Sequence, residues 1–288
     1  MRNQKTLGKK GKVWYNEYMD ILALLKKYGF SFSKKYGQNF ITDYALLEDI
    51  ARDAEVNKDD IVLEIGAGAG TLTSALCKNA KSVVAFEIDR SLEGVLSETL
   101  KDFDNAEVIM DDVTKWADEE IDDIVGGKYK VVANLPYYIT TPLLFTFLER
   151  KNKPSSITVM VQKEVAERIC ATNKKGDYGA LSVSVALRGK AKITRIVKRD
   201  MFTPPPNVDS AVVRIDMNES EVENAQKVFP LVKKAFAMKR KTLVNNLSAG
   251  YGISKAEATE ILTSLGYSPT VRAEELAPED FIKISYKL

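Results

Sequence analysis

The stretch Ile61-Val62-Leu63-Glu64-Ile65-Gly66-Ala67-Gly68-Ala69-Gly70-Thr71 decides the fold. Its first five residues are a short apolar run ended by glycines, which reads as a β-strand buried on both faces. Glycines at every second position then let the backbone approach a ligand closely. A helix opening at Thr71 would turn free N–H groups toward an anionic or carboxylate group. The obvious alternative is a dinucleotide site, whose fingerprint is G-x-G-x-x-G. The third position after Gly68 is Thr71, so that fingerprint is not met.

Outward from this loop the pattern alternates. Upstream, Asp43 to Ala54 reads as an amphipathic helix with Leu46, Leu47, Ile50 and Ala51 on its apolar face, and the run Ile21 to Leu25 as one face of a small helix. Downstream, Ser82 to Ile88, Ala106 to Met110, Tyr129 to Ala133 and Ser156 to Val161 read as strands. Helices are expected from Thr71, over Ser91 to Lys101 and from Pro142. Short apolar strands alternating with helices indicate βαβ units, hence an α/β fold on a mostly parallel sheet.

After Ser182 the rhythm changes. Ser182 to Leu187, Ala191 to Val197 and Ser210 to Ile215 read as strands, with no full helix between the last two, so an antiparallel edge is expected. From Val222 onward helices are expected over Val222 to Leu247 with a break at Pro230, over Lys255 to Leu265, and over Ala277 to Tyr286. Ser254 with Glu257 three positions on makes a capping-box pattern for the second of these. The expected division is a basic N-terminal extension over 1–20, a Rossmann-like catalytic domain over 21–217 and a small all-α domain over 218–288, with the linker near Met217 to Ser220.

The 288 residues suit one large domain, or one large and one small, and 45% apolar with 28% charged residues is ordinary for a globular chain. No apolar run approaches the roughly 18 residues of a membrane span, and Met1 to Lys12 lead into no secretory apolar segment, so a cytoplasmic protein is expected. Cys77 and Cys170 stand far apart, which points away from a disulfide framework or zinc site, and no metal is expected. The chain has no histidine, so its chemistry proceeds without the commonest general base. The net charge of +2 hides a strong segregation. Residues 1–40 carry nine Lys or Arg against two acids, 41–125 seven against 22, and 151–200 twelve against four. Such segregation suits basic surfaces meeting a polyanion, although solvated faces give the same pattern.

Two acids join the glycine loop. Glu87 lies at the end of the second strand, where an acid can bind both ribose hydroxyls. Asp112 follows the third, where it can accept from an adenine amino group. Each could instead be a helix N-cap. Gly, Glu and Asp at three successive strand ends resemble a class I S-adenosylmethionine-dependent methyltransferase. Asn134-Leu135-Pro136-Tyr137, after the fourth strand, is similar to the [N/D]-x-P-[Y/F] tetrapeptide of enzymes that methylate conjugated amino groups. The adenine N6 lone pair is delocalised and weakly nucleophilic. Acceptance of the two N6–H bonds by the Asn134 side-chain oxygen and the Leu135 carbonyl would favour a pyramidal nitrogen aimed at the methyl donor. Tyr137 would stack on the base.

Further motifs make the resemblance specific. They are Lys35-Tyr36-Gly37-Gln38-Asn39-Phe40-Ile41, Phe86-Glu87-Ile88-Asp89, Thr141-Pro142-Leu143-Leu144, Met160 to Val165, Tyr178-Gly179-x-Leu181-Ser182, Phe202-x-Pro204-x-Pro206-x-Val208-x-Ser210, and Lys239-Arg240-Lys241-Thr242 with Asn245-Asn246-Leu247. Together they resemble the bacterial 16S ribosomal RNA adenine dimethyltransferases, which modify two adjacent adenines near the small-subunit 3′ end. The resemblance implies that Asn39 and Ile41 cover the S-adenosylmethionine, and that Gly66, with Gly68 in the same loop, lies under its methionine part. Glu87 would hold the ribose, Asp112 and Asn134 would complete the pocket, and Phe202 would stack on the adenine opposite Tyr137. Lys239, Arg240 and Lys241 would meet RNA, although a solvated stripe on a helix packing through Phe236 and Leu243 fits the same residues. The implied partner is 16S rRNA in a partly assembled small subunit, met by a monomer, with a role in subunit biogenesis. Tyr138 stands where many relatives carry Asn, just outside the tetrapeptide, so altered packing is expected there. The sister family that dimethylates one large-subunit adenine shares the fold and the tetrapeptide, and Gln162 to Val165 with Lys239 to Leu247 favour the small-subunit group. A DNA adenine methyltransferase lacks support because no separate target-recognition domain is evident. A non-enzymatic assembly factor is a further reading, compatible with catalysis.

Overall fold

Strand and helix alternate through the first two-thirds of the chain because short apolar runs need cover on both faces and the intervening helices supply it. The computed structural model describes residues 20–32, 38–136, 139–174 and 176–288. Most of the basic N-terminal extension, Lys35 to Gly37, Tyr137 and Tyr138 therefore lie outside the described residues. In chain order the elements begin with α1 (Ile21–Lys27), β1 (Phe40–Ile41), α2 (Tyr44–Asp53), β2 (Ile61–Ile65), α3 (Thr71–Cys77), β3 (Ser82–Phe86), α4 (Glu93–Leu100), β4 (Ala106–Ile109), α5 (Asp118–Val125) and β5 (Tyr129–Asn134). There follow α6 (Thr140–Glu149), β6 (Ser156–Gln162), α7 (Lys163–Ile169), α8 (Ala180–Arg188), β7 (Gly189–Val197), β8 (Phe202–Thr203) and β9 (Ser210–Met217). The chain closes with α9 (Ala225–Ala235), α10 (Leu243–Tyr251), α11 (Lys255–Ser264) and α12 (Pro278–Ser285).

Seven strands form one sheet in the order β4-β3-β2-β5-β6-β9-β7. The pairs from β4 through β6 are parallel, and β9 runs antiparallel to both β6 and β7. This is the expected Rossmann-like sheet with its antiparallel edge. The chain leaves β2 toward β3 and β4, then returns to place β5 on the other side of β2. The crevice beyond the carboxyl ends of β2 and β5 is thus the switch point at which such sheets bind ligands. Along β2 the side chains alternate between two cores. Leu63 and Ile65 join the one beneath α5 and α6, while Val62 joins the one beneath α2 and α3. The last four helices enclose a third core of their own, into which Tyr178 and Val183 also insert.

Two expectations fail, each for a physical reason. Ser182 to Leu187 alternates like a strand but lies within helix α8. Leu181 and Val185 of that helix pack on the sheet core and Val183 on the core of the C-terminal helices, while Ser182 and Ser184 are buried as well. A helix covered on both sides shows no one-sided stripe, so its period is unreadable from residue types. The second concerns Pro230, which sits inside α9 rather than ending it. A proline there removes one helical hydrogen bond, but buried Val228, Phe229, Leu231 and Val232 hold the helix together. The real break falls after Ala235. There the buried Asn246 side chain accepts from the Met238 N–H at 2.9 Å and substitutes for the helical ladder. Helices α5 and α7, which the pattern did not single out, complete the layers.

Candidate active site

The glycine loop is wound by three residues in the left-handed region, Gly66 at φ 78°, Gly68 at 58° and Gly70 at 80°. At Gly68 a side chain would also collide, since a Cβ would stand 3.0 Å from the Phe40 ring. The Gly66 and Ala67 N–H groups both donate to the Phe86 carbonyl, at 2.8 and 3.0 Å, which ties the loop to the end of β3. Glu87 completes the knot. Its Oε2 accepts from Gly68 N at 2.7 Å and its Oε1 from Asp89 N at 2.8 Å. Burial raises the Glu87 pKa despite those backbone donors, and the neighbouring Asp89 charge pushes the same way.

A cavity of about 480 Å³ opens above this loop. Asn39, Ile41, Gly66, Gly68, Glu87, Asp112, Asn134, Leu135, Pro136 and Phe202 all line it, so residues from widely separated segments meet at one place. Tyr137 lies outside the described residues. Lys239, Arg240 and Lys241 are exposed in the turn between α9 and α10, not on a helix face. Their neighbours behave differently. Lys233 pairs with Glu149 at 2.7 Å, and Lys234 lies 3.7 Å from the centre of the Tyr251 ring.

The N-terminal segment reaches the cavity by strand pairing. Phe40 stands opposite Thr203 and Ile41 opposite Phe202 in the antiparallel β1–β8 ladder. Gln38 donates to Asp89 at 2.7 Å, and Asn134 Nδ2 donates to the Asn39 carbonyl at 3.4 Å. With Nδ2 so engaged, Oδ1 is the acceptor of that amide. The loop carrying Phe202 is clamped at its base by Asp209, which accepts from Lys198 Nζ at 2.8 Å and from Arg199 N at 3.1 Å. Asp112 is both a cavity wall and a cap: its Oδ1 accepts from the Thr114 N–H and hydroxyl at 3.0 and 2.7 Å. The N-cap reading of this acid therefore holds alongside its place in the cavity.

Sequence reasoning passed over several wall residues. Ile88, 47% exposed directly after Glu87, offers an apolar surface, and Asp111 binds the Trp116 indole N–H at 3.2 Å. In the sequence Ile88 reads as the last residue of a strand, whereas β3 ends at Phe86 and leaves it exposed. Leu47, Thr71 and Leu72 gave no signal, because helix residues facing a cavity look like core.

The arrangement carries out recognisable tasks. Carboxylates stand where hydroxyl and amino donors can be held, backbone can touch a ligand at the glycine loop, and an amide oxygen ends β5 beside Pro136. Comparisons with known proteins agree with this picture. The family described as "Ribosomal RNA adenine dimethylase" matches residues 29–288. "Ribosomal RNA small subunit methyltransferase A" of Lactococcus lactis subsp. lactis strain IL1403 is 43% identical over 271 residues, 91% of this chain and 92% of that protein. The protein of the same name from Lachnoclostridium phytofermentans is 44% identical over 275 residues, 92% of this chain and 94% of its own. Among solved structures, a dimethyladenosine transferase from Plasmodium falciparum is similar with a TM-score of 0.71 at 28% identity, over 85% of this chain and 95% of that one. The 23S rRNA methyltransferase ErmE aligns with a TM-score of 0.61 at 25% identity, over 87% of this chain and 99% of its own.

Proposed function

The chain belongs to the ribosomal RNA adenine dimethylase family, and from that premise we propose that it dimethylates N6 of two adjacent adenines near the 3′ end of 16S rRNA. S-adenosylmethionine supplies the methyl groups from its sulfonium. The residues present fit that cofactor. A Cβ at Gly68 would press against the Phe40 ring that lines the same cavity, and Glu87 is fixed at the end of β3 where ribose hydroxyls can be received. A carboxylate has about four lone-pair sites, so Glu87 can keep its Gly68 and Asp89 bonds and still accept from a diol.

Within this reading Asn39 and Ile41 cover the cofactor, Gly66 and Gly68 touch its methionine part, and Asp112 receives its adenine. The Asn134 Oδ1 and the Leu135 carbonyl accept the two N6–H bonds of the target base, while Pro136 fixes the turn between them. Phe202 and Tyr137 sandwich the flipped adenine. Stacking of this kind is worth about 1–3 kcal/mol per base. No strong base is needed, because the nitrogen becomes acidic only once it carries the positive charge. Lys239, Arg240 and Lys241 contact RNA phosphates. The protein acts as a cytoplasmic monomer on a partly assembled small subunit and takes part in its biogenesis, with residues 1–20 as a basic extension, 21–217 as the catalytic domain and 218–288 as the helical domain. Among the described residues no helix is long and apolar enough to cross a membrane.

The observation that supports this most is the meeting of Asn134, Leu135 and Phe202 with the Gly66 and Glu87 walls in one cavity. The test is methyl transfer from labelled S-adenosylmethionine to undermethylated small and large subunits, mapped by primer extension. Stops at two adjacent adenines near the small-subunit 3′ end are expected. A single modified adenine in the large subunit would overturn the substrate assignment and leave the chemistry standing.

A further inference from the structure

Between α9 and α10, Met238 to Lys241 form a β-turn. The Lys241 N–H closes it by donating to the Met238 carbonyl at 3.0 Å, which leaves Lys239 and Arg240 at the two corners. Asn246 on α10, 2% exposed, grips the first residue of that turn at both of its polar groups. Its Oδ1 accepts from the Met238 N–H at 2.9 Å, and its Nδ2 donates to the Met238 carbonyl at 3.4 Å and the Thr242 carbonyl at 3.5 Å. Asn245 adds a bond from its Nδ2 to the Thr242 hydroxyl at 2.7 Å. The flanks are anchored too. The Phe236 ring stands 6.1 Å from Tyr178 and 5.9 Å from Phe281, centre to centre, and the Leu243 N–H donates to the Val271 carbonyl at 2.8 Å.

This brace is not the ordinary way to stop a helix. Helices α10 and α11 run out into glycines in the left-handed region, Gly252 at φ 70° and Gly266 at 84°, which are self-contained stops. Helix α9 has no such glycine and borrows a buried amide from its neighbour. What the brace holds is a run of cations. Lys239, Arg240 and Lys241 are exposed, and among the described residues none of the three has an ion pair or a ring contact. Lys233 and Lys234, just upstream, are by contrast engaged internally. Like charges in sequence repel, so a loose turn would spread them. Ordering it again on a partner would cost about a tenfold loss of affinity for each backbone residue fixed.

We propose that Asn246 is a positioning residue for RNA recognition: it fixes the Met238–Lys241 turn so that Lys239, Arg240 and Lys241 meet the phosphates of a folded RNA at a preset spacing. The inference rests on the assignment of those three cations to RNA made above. A preset turn matches one arrangement of phosphates and so favours folded small-subunit RNA over a flexible strand. Cations on a loose loop would bind either one by charge alone. Asn246 is not among the residues that line the cavity, so its loss falls on RNA binding and leaves cofactor binding as it was.

The experiment measures binding of the full chain to undermethylated small subunits and to single-stranded poly(U) over a range of salt. The proteins are wild type, Asn246→Ala, the triple variant Lys239→Glu, Arg240→Glu, Lys241→Glu, and the combination of all four changes. Asn246→Ala is expected to bind small subunits about tenfold more weakly with the salt slope of wild type, since the same cations reach phosphates once the turn is ordered. Its affinities for poly(U) and for S-adenosylmethionine should stay within about twofold of wild type, because neither needs the preset spacing. In the triple variant, Asn246→Ala should weaken binding no further. Small-subunit affinity unchanged in Asn246→Ala, an equal loss on poly(U), or the full loss repeated in the triple background would overturn the proposal. A triple variant that binds small subunits as wild type does would instead overturn the assignment of the cations to RNA. Asn245→Ala, which removes only the bond to the Thr242 hydroxyl, gives the same comparison without touching the buried amide. A smaller loss confined to small subunits is expected there, and no loss would count against the proposal. Hydrogen exchange separates positioning from bulk stability. In either variant the Met238 and Lys241 N–H groups should exchange faster while those of α11 and α12 keep their wild-type rates, and a uniform quickening would count against a positioning role.

Discussion

Asn134 shows how one side chain can be committed at two ends. Its amide nitrogen donates to the Asn39 carbonyl at 3.4 Å, so the oxygen is the end turned to accept. An alanine there would remove the acceptor for the target amine while Gly66, Glu87 and Asp112 keep the cofactor. Asn134→Ala is expected to lower single-turnover methylation about a hundredfold or more, in line with loss of one positioned transition-state hydrogen bond. Cofactor affinity, measured by calorimetry, should change by less than about tenfold. A collapse of cofactor affinity would remove the substrate-acceptor role. This residue was legible in the sequence because a polar residue followed by Leu-Pro-Tyr at a strand end has few structural uses. Glu64 was visible as a motif letter, but its complete burial was not. That property depends on what surrounds the side chain in three dimensions.

Among the elements, the loop from β2 into α3 is the most tightly specified. Gly70 combines a φ of 80° with a position where a Cβ would lie 3.2 Å from both Leu96 and Thr99 on α4. Gly70→Ala therefore meets backbone strain and a clash together, and is expected to cost about 1–3 kcal/mol. For a chain of this size that is a fall in Tm of roughly 2–4 °C per kcal/mol, readable by calorimetry, with an unchanged melting temperature as the contrary result. The loop, and the strand–helix alternation around it, could be read directly from residue types. The short ladder of β1 with β8 could not. Two residues on each side carry no periodic signal, yet this ladder sets Ile41 opposite Phe202. The capping of α11 was readable, since Ser254 Oγ accepts from Glu257 N at 3.1 Å, as its spacing implies.

Across the whole molecule the same composition serves different ends. Of the five basic residues from Lys233 to Lys241, the first two are engaged internally, by Glu149 and by the Tyr251 ring. Lys239, Arg240 and Lys241 stand exposed in a turn. If they contact phosphates, reversing all three to Glu should weaken binding to the small subunit and flatten its log–log salt dependence by about two to three units. Binding that keeps its slope would exclude the turn from the interface. The C-terminal helices are joined to the sheet layer through α8 by the buried Arg188. Its guanidinium donates to the Leu148 carbonyl at 2.6 Å and to Glu221 at 3.0 Å, and lies 4.9 Å from the Phe229 ring. This joint is why α8 was misread. Its alternating Leu, Ser and Val residues are buried between two cores, and burial on every side erases the period that distinguishes helix from strand.

By itself the sequence determined the parallel sheet, its antiparallel edge, the glycine loop and the Asn134-Leu135-Pro136 corner. Each is written in a few adjacent residues whose conformational limits act locally. Only the tertiary structure decided that Ser182 to Leu187 is helical, that Pro230 lies within a helix, and that Asn39 to Ile41 are drawn to Phe202. It also decided that Glu64 is completely buried. Those outcomes rest on burial from two sides and on pairing between distant segments. Both are free energies of contact that no single stretch of chain contains.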